Sequence, residues 1–167
     1  LDRIVALKIL SPELSRDPAF AERFARESRV LGKLNHPNIV TVYESGESGG
    51  FFYLVMEYVD GVNLRQAMRA GRFTPQQALA VVPGICDALQ AAHAQGVWHR
   101  DIKPENIGLV MQGSVLHLIL FDFSLSSVGA DNISAGTLAY MDPFIRDPGR
   151  RRWDDHAERF SVALTLY

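Results

Sequence analysis

Apolar and polar residues alternate from Ile4 to Leu10, with Val5, Leu7 and Ile9 on one face and Ala6, Lys8 and Leu10 on the other. That is the period-two pattern of a strand, and it places Lys8 on the same side as the small Ala6. Between residues 20 and 34 the period lengthens, and Phe20, Phe24, Glu27, Leu31 and Leu34 fall on one stripe of a helix. Asp17 followed by Pro18 supplies an N-cap and a proline at the first helical position, so this helix is expected to run from there to about Lys33. Glu27 is the misfit on the stripe. A carboxylate on an apolar face is costly unless a cation meets it, and Lys8 is the candidate partner.

After a turn at His36, Pro37 and Asn38, the segments Ile39 to Glu44 and Phe51 to Tyr58 read as two strands joined by the Ser and Gly rich stretch 45–50. A first lobe then ends near Asp60 and Gly61. Thr74, Pro75 and Gln77 form a capping box for a helix reaching about Gln95, with Pro83 and Gly84 as a kink and Gly96 as the stop. Ile107 to Val110 and Val115 to Leu120 read as a second hairpin across Gln112, Gly113 and Ser114. The order predicts an α+β fold: a small lobe of sheet plus one helix over 1–59, then a mainly helical lobe over 60–167.

Composition narrows the function classes. At 167 residues, 47% apolar and 22% charged, the chain has the balance of one ordinary globular domain. A formal net charge of -2 provides no global field for nucleic acid or an anionic membrane, so neither is expected as a partner. No apolar run approaches the roughly 18 residues of a membrane span. The single cysteine, Cys86, excludes an internal disulfide and a thiolate zinc site and points to a reducing cytoplasm. His93, His117 and His156 lack partners at metal-ligand spacing and read as structural. The chain opens in a strand without an initiating Met and stops inside an apolar stretch, as expected for a piece of something longer.

The chemistry-bearing run is His99, Arg100, Asp101, Ile102, Lys103, Pro104, Glu105, Asn106, followed sixteen residues after Asn106 by Asp122, Phe123, Ser124. With Val5, Ala6, Leu7, Lys8 and Glu27 upstream, these segments resemble, in order, the motifs of the eukaryotic-like (Hanks-type) Ser/Thr protein kinases of bacteria. The resemblance covers essentially the whole chain. It implies a bilobal protein-kinase-like fold, ATP and Mg²⁺ as cofactors, and transfer of the γ-phosphate to Ser or Thr hydroxyls of a protein substrate. Such transfer demands positioning and charge neutralisation more than covalent chemistry, hence cations, metal-holding oxygens and one oriented acceptor.

By the same resemblance Lys8 binds the α and β phosphates and is held by Glu27, Asp101 accepts or orients the proton of the acceptor hydroxyl, and Lys103 sits near the transferred phosphate. Asn106 and Asp122 would hold Mg²⁺. Ala6 would line the nucleotide site, and Met56 to Val59 would be the gatekeeper and hinge, with the backbone of Glu57 and Val59 meeting adenine. Leu31, Val42, His99 and Phe123 should stack into a spine between the lobes. Lys103 and the segment Gly136, Thr137, Tyr140 look like the Ser/Thr form. Arg100 beside Asp101 implies regulation by phosphorylation, autophosphorylation included, with Ser124, Ser126, Ser127, Ser134 and Thr137 in the relevant stretch. The arginines of 146–152, interleaved with Asp147, Asp154 and Asp155, read as a solvated loop.

Several positions depart from the family pattern. No Gly-rich phosphate loop precedes Val5, and the chain ends within what would be the central helix of the large lobe, so the 167 residues alone are expected to be inactive. Ser124 stands for the usual Gly, Asp142 to Phe144 for Ala-Pro-Glu, Glu158 for the central helix's aspartate, and Gly108 for a larger apolar residue under adenine. These features look like a divergent bacterial branch, the kinase module of large phage-defence proteins. Two other readings stand beside the protein kinase: a pseudokinase, meaning a nucleotide-binding or scaffolding module without transfer, and a small-molecule phosphotransferase.

Overall fold

A computed structural model describes residues 2–11, 18–71, 74–123, 136–147 and 153–167. Strand β1 (Val5–Ile9) pairs antiparallel with β3 (Phe51–Glu57), which pairs on its other side with β2 (Val42–Ser48), giving the order β1-β3-β2. Along β1 the alternation is as the sequence indicates: Val5, Leu7 and Ile9 are exposed, while Ala6 and Lys8 are half-buried opposite Met56 and Leu54. The Ser and Gly rich stretch is not a loop, because Ser45 to Ser48 continue β2 in register with Leu54 to Phe51. Only Gly49 and Gly50 turn the chain, at φ 59° and 80°. Two consecutive left-handed residues make the tight turn whose twist suits a hairpin, and polar side chains are tolerated on an edge strand facing water.

Helix α1 (Pro18–Leu31) lies against this sheet. Phe20, Phe24, Glu27, Leu31 and Leu34 are all buried, so the stripe read from the sequence is the inward face. The rings of Phe20 and Phe24 stand 5.3 and 4.8 Å from Phe52, each contributing on the order of 2 kcal/mol by burial. Asp17, the expected N-cap, lies outside the described residues.

The second sheet has the order β4-β5-β6, from β4 (Val62–Asn63), β5 (Ile107–Gln112) and β6 (Val115–Leu120). Between β4 and the long helix sits a short helix the sequence reading missed, α2 (Leu64–Arg69), capped by the reciprocal Asn63 and Gln66 bonds of a capping box. Helix α3 (Pro75–Ala94) carries the foreseen box, with Thr74 accepting from the Gln77 N–H and Gln77 from the Thr74 N–H; it spans Pro83, and Gly96 at φ 72° follows its end. Helix α4 (Asp155–Leu166) is capped by Asp154. Leu64, Ile85, Ala88, Ala92, Ile107 and Leu120 are fully enclosed between α3 and the sheet.

Besides the chain that runs from β3 to β4, the segment 38–40 ties the lobes together. The Val40 N–H donates to Leu120 O at 2.9 Å, the Leu120 N–H to Asn38 O at 2.7 Å, and Asn38 Nδ2 to Leu118 O at 2.8 Å. The core of the second lobe accordingly continues into the first through Ile39, Leu34 and Leu31. No helix among the described residues is long and apolar enough to cross a membrane.

Candidate active site

The loop 99–106 runs between the end of α3 and the start of β5, and each of its polar residues is pinned. His99 is fully buried, and burial pushes its pKa down so that the ring is neutral. Nε2 lies 3.2 Å from Phe121 O, an acceptor only, so Nε2 carries the proton and Nδ1 accepts the Asp101 N–H at 3.3 Å. The ring also stands 4.6 Å from that of Phe123. Phe123, Leu31 and Val42 line one small cavity beside Lys8 and Asp122, which brings the four expected spine residues together.

Arg100 is buried and adopts φ 65°, and its N–H donates to Glu158 Oε1 at 2.8 Å. Glu158, 1% exposed on α4, also accepts from Trp153 Nε1 at 3.3 Å and meets His93 Nε2 at 2.6 Å. The extra methylene of Glu158 relative to the family's aspartate is thus absorbed by partners on three sides. His93, read from the sequence as a structural histidine, is one of them, and its ring packs 4.2 Å from Trp98.

Asp101 is the most heavily bonded carboxylate of the loop. Oδ1 accepts the Thr137 N–H at 2.9 Å and its hydroxyl at 2.7 Å, while Oδ2 meets Lys103 Nζ at 2.6 Å and Asn106 Nδ2 at 3.0 Å. Desolvation pushes this carboxyl up, but the bonds from Lys103 and Thr137 outweigh it and hold it below the usual aspartate range. Lys103 Nζ in turn donates to Thr137 Oγ1 at 2.9 Å. Gly136 makes this contact possible: at φ 119°, a Cβ there would stand 2.6 Å from the Arg100 carbonyl oxygen.

Lys8 does not take the expected partner. Its Nζ stands 2.5 Å from Asp122 Oδ1, across the cleft between the lobes. Glu27 instead acts on the buried Arg100, whose guanidinium burial disfavours and whose charge Glu158 and Glu27 support. From its position on the helical stripe Glu27 had looked like a partner for Lys8 because sequence periodicity reports a face, not which cation reaches it.

A cleft of about 320 Å³ opens beside this pair, lined by Ala6, Met56, Glu57, Val59, Gly108, Phe121 and Asp122 among others. Every expected nucleotide-site residue of β1 and of the 56–59 segment except Lys8 is on its wall, and Lys8 lies next to it through Asp122. Gly61 lets the chain between β3 and β4 pass against β5, since a Cβ there would lie 2.3 Å from Leu109 O. The departure at Gly108 has a local explanation: a Cβ would come within 2.9 Å of Phe121 Cε1, so the Phe121 ring occupies the space a larger residue would fill.

The Mg²⁺ implied by the family fits the donor set. Asn106 Nδ2 donates to Asp101 O at 2.8 Å as well as to Asp101 Oδ2, which leaves its amide oxygen as the acceptor, and Asp122 adds a carboxylate. Among the described residues no cluster of three or more His, Cys, Asp or Glu side chains could hold a metal ion. One carboxylate and one amide oxygen suit an ion whose other ligands are phosphates and water.

A further set of contacts was not foreseen. Arg65 on α2 donates Nε to Glu105 Oε1 at 2.9 Å and reaches the Tyr140 hydroxyl through Nη2, while Tyr140 O accepts from Ser161 Oγ at 2.7 Å. A missed α2 hid Arg65. Of the candidate phosphorylation sites, Ser124, Ser126, Ser127 and Ser134 lie outside the described residues, as do residues 148–152 of the arginine cluster. In place of Ala-Pro-Glu, the Asp142 carboxylate accepts the Phe144 N–H at 2.9 Å and Phe144 is exposed.

The chain is 41% identical over 179 residues to the serine/threonine-protein kinase PknB of Mycobacterium leprae, covering all of this chain and 28% of that protein. It is 39% identical to PknH of Mycobacterium bovis, covering 92% of this chain and 27% of that one. The chain therefore spans a little over a quarter of the length of the curated relatives it matches. Among solved structures it is similar to the PknI kinase domain of Mycobacterium tuberculosis, with TM-score 0.76, 34% identity, and coverage of 97% of this chain and 61% of that one. It also resembles Rad53 in complex with AMP-PNP, with TM-score 0.76, 30% identity, and coverage of 98% and 40%. The family model for the protein kinase domain matches residues 1–167, end to end, and with the relatives it shows that this chain belongs to the protein kinase family.

Proposed function

We propose that the chain is the catalytic part of a cytoplasmic Ser/Thr protein kinase, transferring the γ-phosphate of Mg-ATP to a protein hydroxyl. The observation that carries this reading is the environment of Asp101: an ionised carboxylate fixed by Thr137 and Asn106, with the Lys103 ammonium 2.6 Å away. In the reaction the acceptor oxygen forms a bond to the γ-phosphorus, the bond from that phosphorus to the β-γ bridging oxygen breaks, ADP departs, and the acceptor proton passes to Asp101. Lys103 offsets the charge developing on the transferred group. Bound Mg²⁺ would neutralise the phosphates, held by Asn106 and Asp122. Lys8, now on Asp122, moves its charge to the α and β phosphates, and Ala6, Met56, Glu57 and Val59 enclose the base. Glu27 supports the buried charge of Arg100.

Transfer of labelled γ-phosphate by the protein in its native length, to itself and to a generic protein acceptor, tests the reading, with Asp101→Asn and Asp122→Asn as controls. Loss in both variants is the expected result. A wild-type protein that shows a Mg-ATP-dependent thermal shift but no transfer would be a nucleotide-binding module instead, and transfer to small-molecule acceptors alone would make it a small-molecule phosphotransferase.

A further inference from the structure

Asp101 is flanked by the catalytic loop, through Lys103 and Asn106, on one side and by the Gly136 to Tyr140 segment, through Thr137, on the other. Lys103 and Thr137, the nearest residues on the two sides, are committed to Asp101 and to each other. Farther out lie Glu105 and Tyr140, and Arg65 from α2 joins them, donating to both. Leu138, strongly exposed, stands on the same edge between Thr137 and Tyr140.

The charges along this edge decide what can lie on it. With Lys103 already paired, Glu105 by itself would present an anion beside the base and attract basic side chains. Arg65 cancels it. Desolvation pushes the Glu105 carboxyl up, but the Arg65 hydrogen bond, a backbone hydrogen bond and the charges of Arg65 and Lys103 together hold it low, and the Arg65 bond also raises the Arg65 pKa, so both groups are charged and engaged. Their side chains are 27% and 42% exposed, and with Glu105 Oε2 enclosed it is Oε1, the oxygen Arg65 holds, that a peptide would otherwise meet. The guanidinium has five N–H donors, of which the bonds to Glu105 and Tyr140 use Nε and Nη2. A solvated pair of this kind adds little to folding stability, which leaves recognition as the property most sensitive to its removal.

We infer that Arg65 sets the charge preference of the acceptor groove. By occupying Glu105 it turns the groove away from acceptor peptides with Arg or Lys beside the Ser or Thr and toward those with acidic or uncharged side chains there. The inference rests on the protein kinase reading, and makes Arg65 a specificity-determining residue rather than a catalytic one.

The test uses Ser peptides in which Arg or Glu is placed in turn at each of the three positions on either side of the acceptor. Binding is followed by fluorescence anisotropy and transfer by initial rate, with the native-length protein. In Arg65→Ala the preference for Arg over Glu peptides should rise about fivefold at one or two positions. Arg65→Ala combined with Glu105→Gln should return it to the wild-type ratio, and Arg65→Lys should stay within about twofold of wild type. A ratio that does not move in Arg65→Ala, one that moves as far in the double variant, or a wild-type protein that binds none of the peptides overturns the inference. Binding ratios that shift as expected without any phosphate transfer would instead sink the phosphotransfer reading and leave the charge preference standing.

Discussion

Replacing Glu158 with Ala should destabilise the protein more than any change at the catalytic carboxylates. The substitution strips an acceptor from the Arg100 N–H and the Trp153 indole N–H, both in buried residues, and parts His93 from its partner. Each buried donor left unpaired costs about 1–3 kcal/mol. The Arg100 guanidinium, which burial disfavours and Glu158 supports first among the nearby charges, adds to the loss. A total of about 4 kcal/mol follows, in line with breaking one side of a buried ion pair. For a domain of this size that lowers Tm by about 10 °C. Glu158→Gln keeps an oxygen for the two N–H donors but loses the charge beside Arg100, and should cost about 2 kcal/mol. Glu158→Asp, the residue of the family pattern, retracts the carboxylate from all three partners at once and should fall between. Thermal and urea denaturation of the three variants, read by circular dichroism, gives the ranking. A Glu158→Ala loss below about 1 kcal/mol would refute the view that α4 anchors the catalytic loop through this carboxylate.

Thr137→Ala removes a hydrogen bond that lowers the Asp101 pKa, so the pKa rises and the acidic limb of the pH profile of kcat/KM should move to higher pH, while Thr137→Ser leaves it in place. Lys8→Met and Asp122→Asn should each cut transfer by about 10²-fold or more with Tm nearly unchanged, because the pair they break is well solvated in the absence of nucleotide. Gly108→Leu should weaken binding of an ATP analogue, measured by calorimetry, through collision with the Phe121 ring, and adding Phe121→Ala should restore much of the affinity.

Local chemistry made much of the fold legible. The Thr74 and Gln77 box and the stripe of α1 depend on residues within one or two turns of each other, and both are found where the pattern puts them. The edges of strands were harder to read: Ser45 to Ser48 look like a loop, yet an exposed edge strand tolerates them once Gly49 and Gly50 supply the turn. Helix α2 is a single short element whose capping box at Asn63 and Gln66 was the available signal, and passing over it concealed Arg65. In the site, motif spacing brought Asp101, Lys103, Asn106 and Asp122 to one place. It did not tell that Lys8 meets Asp122, that Thr137 closes on Asp101, or that His93 reaches Glu158, since these depend on how separate elements pack.

Arg100 and Asp122 are the non-glycine residues with positive φ among the described residues, at 65° and 64°. A left-handed backbone costs an L-residue about 1–2 kcal/mol, less for aspartate, and glycine almost nothing. Selection for heat resistance alone would therefore reward glycine at 122 and erase the carboxylate that reaches toward Lys8. Anyone evolving a hardier variant should hold both positions fixed and seek gains elsewhere, for instance at exposed Leu79 on α3. Lasting activity here is bound to a backbone that unguided stabilisation would discard.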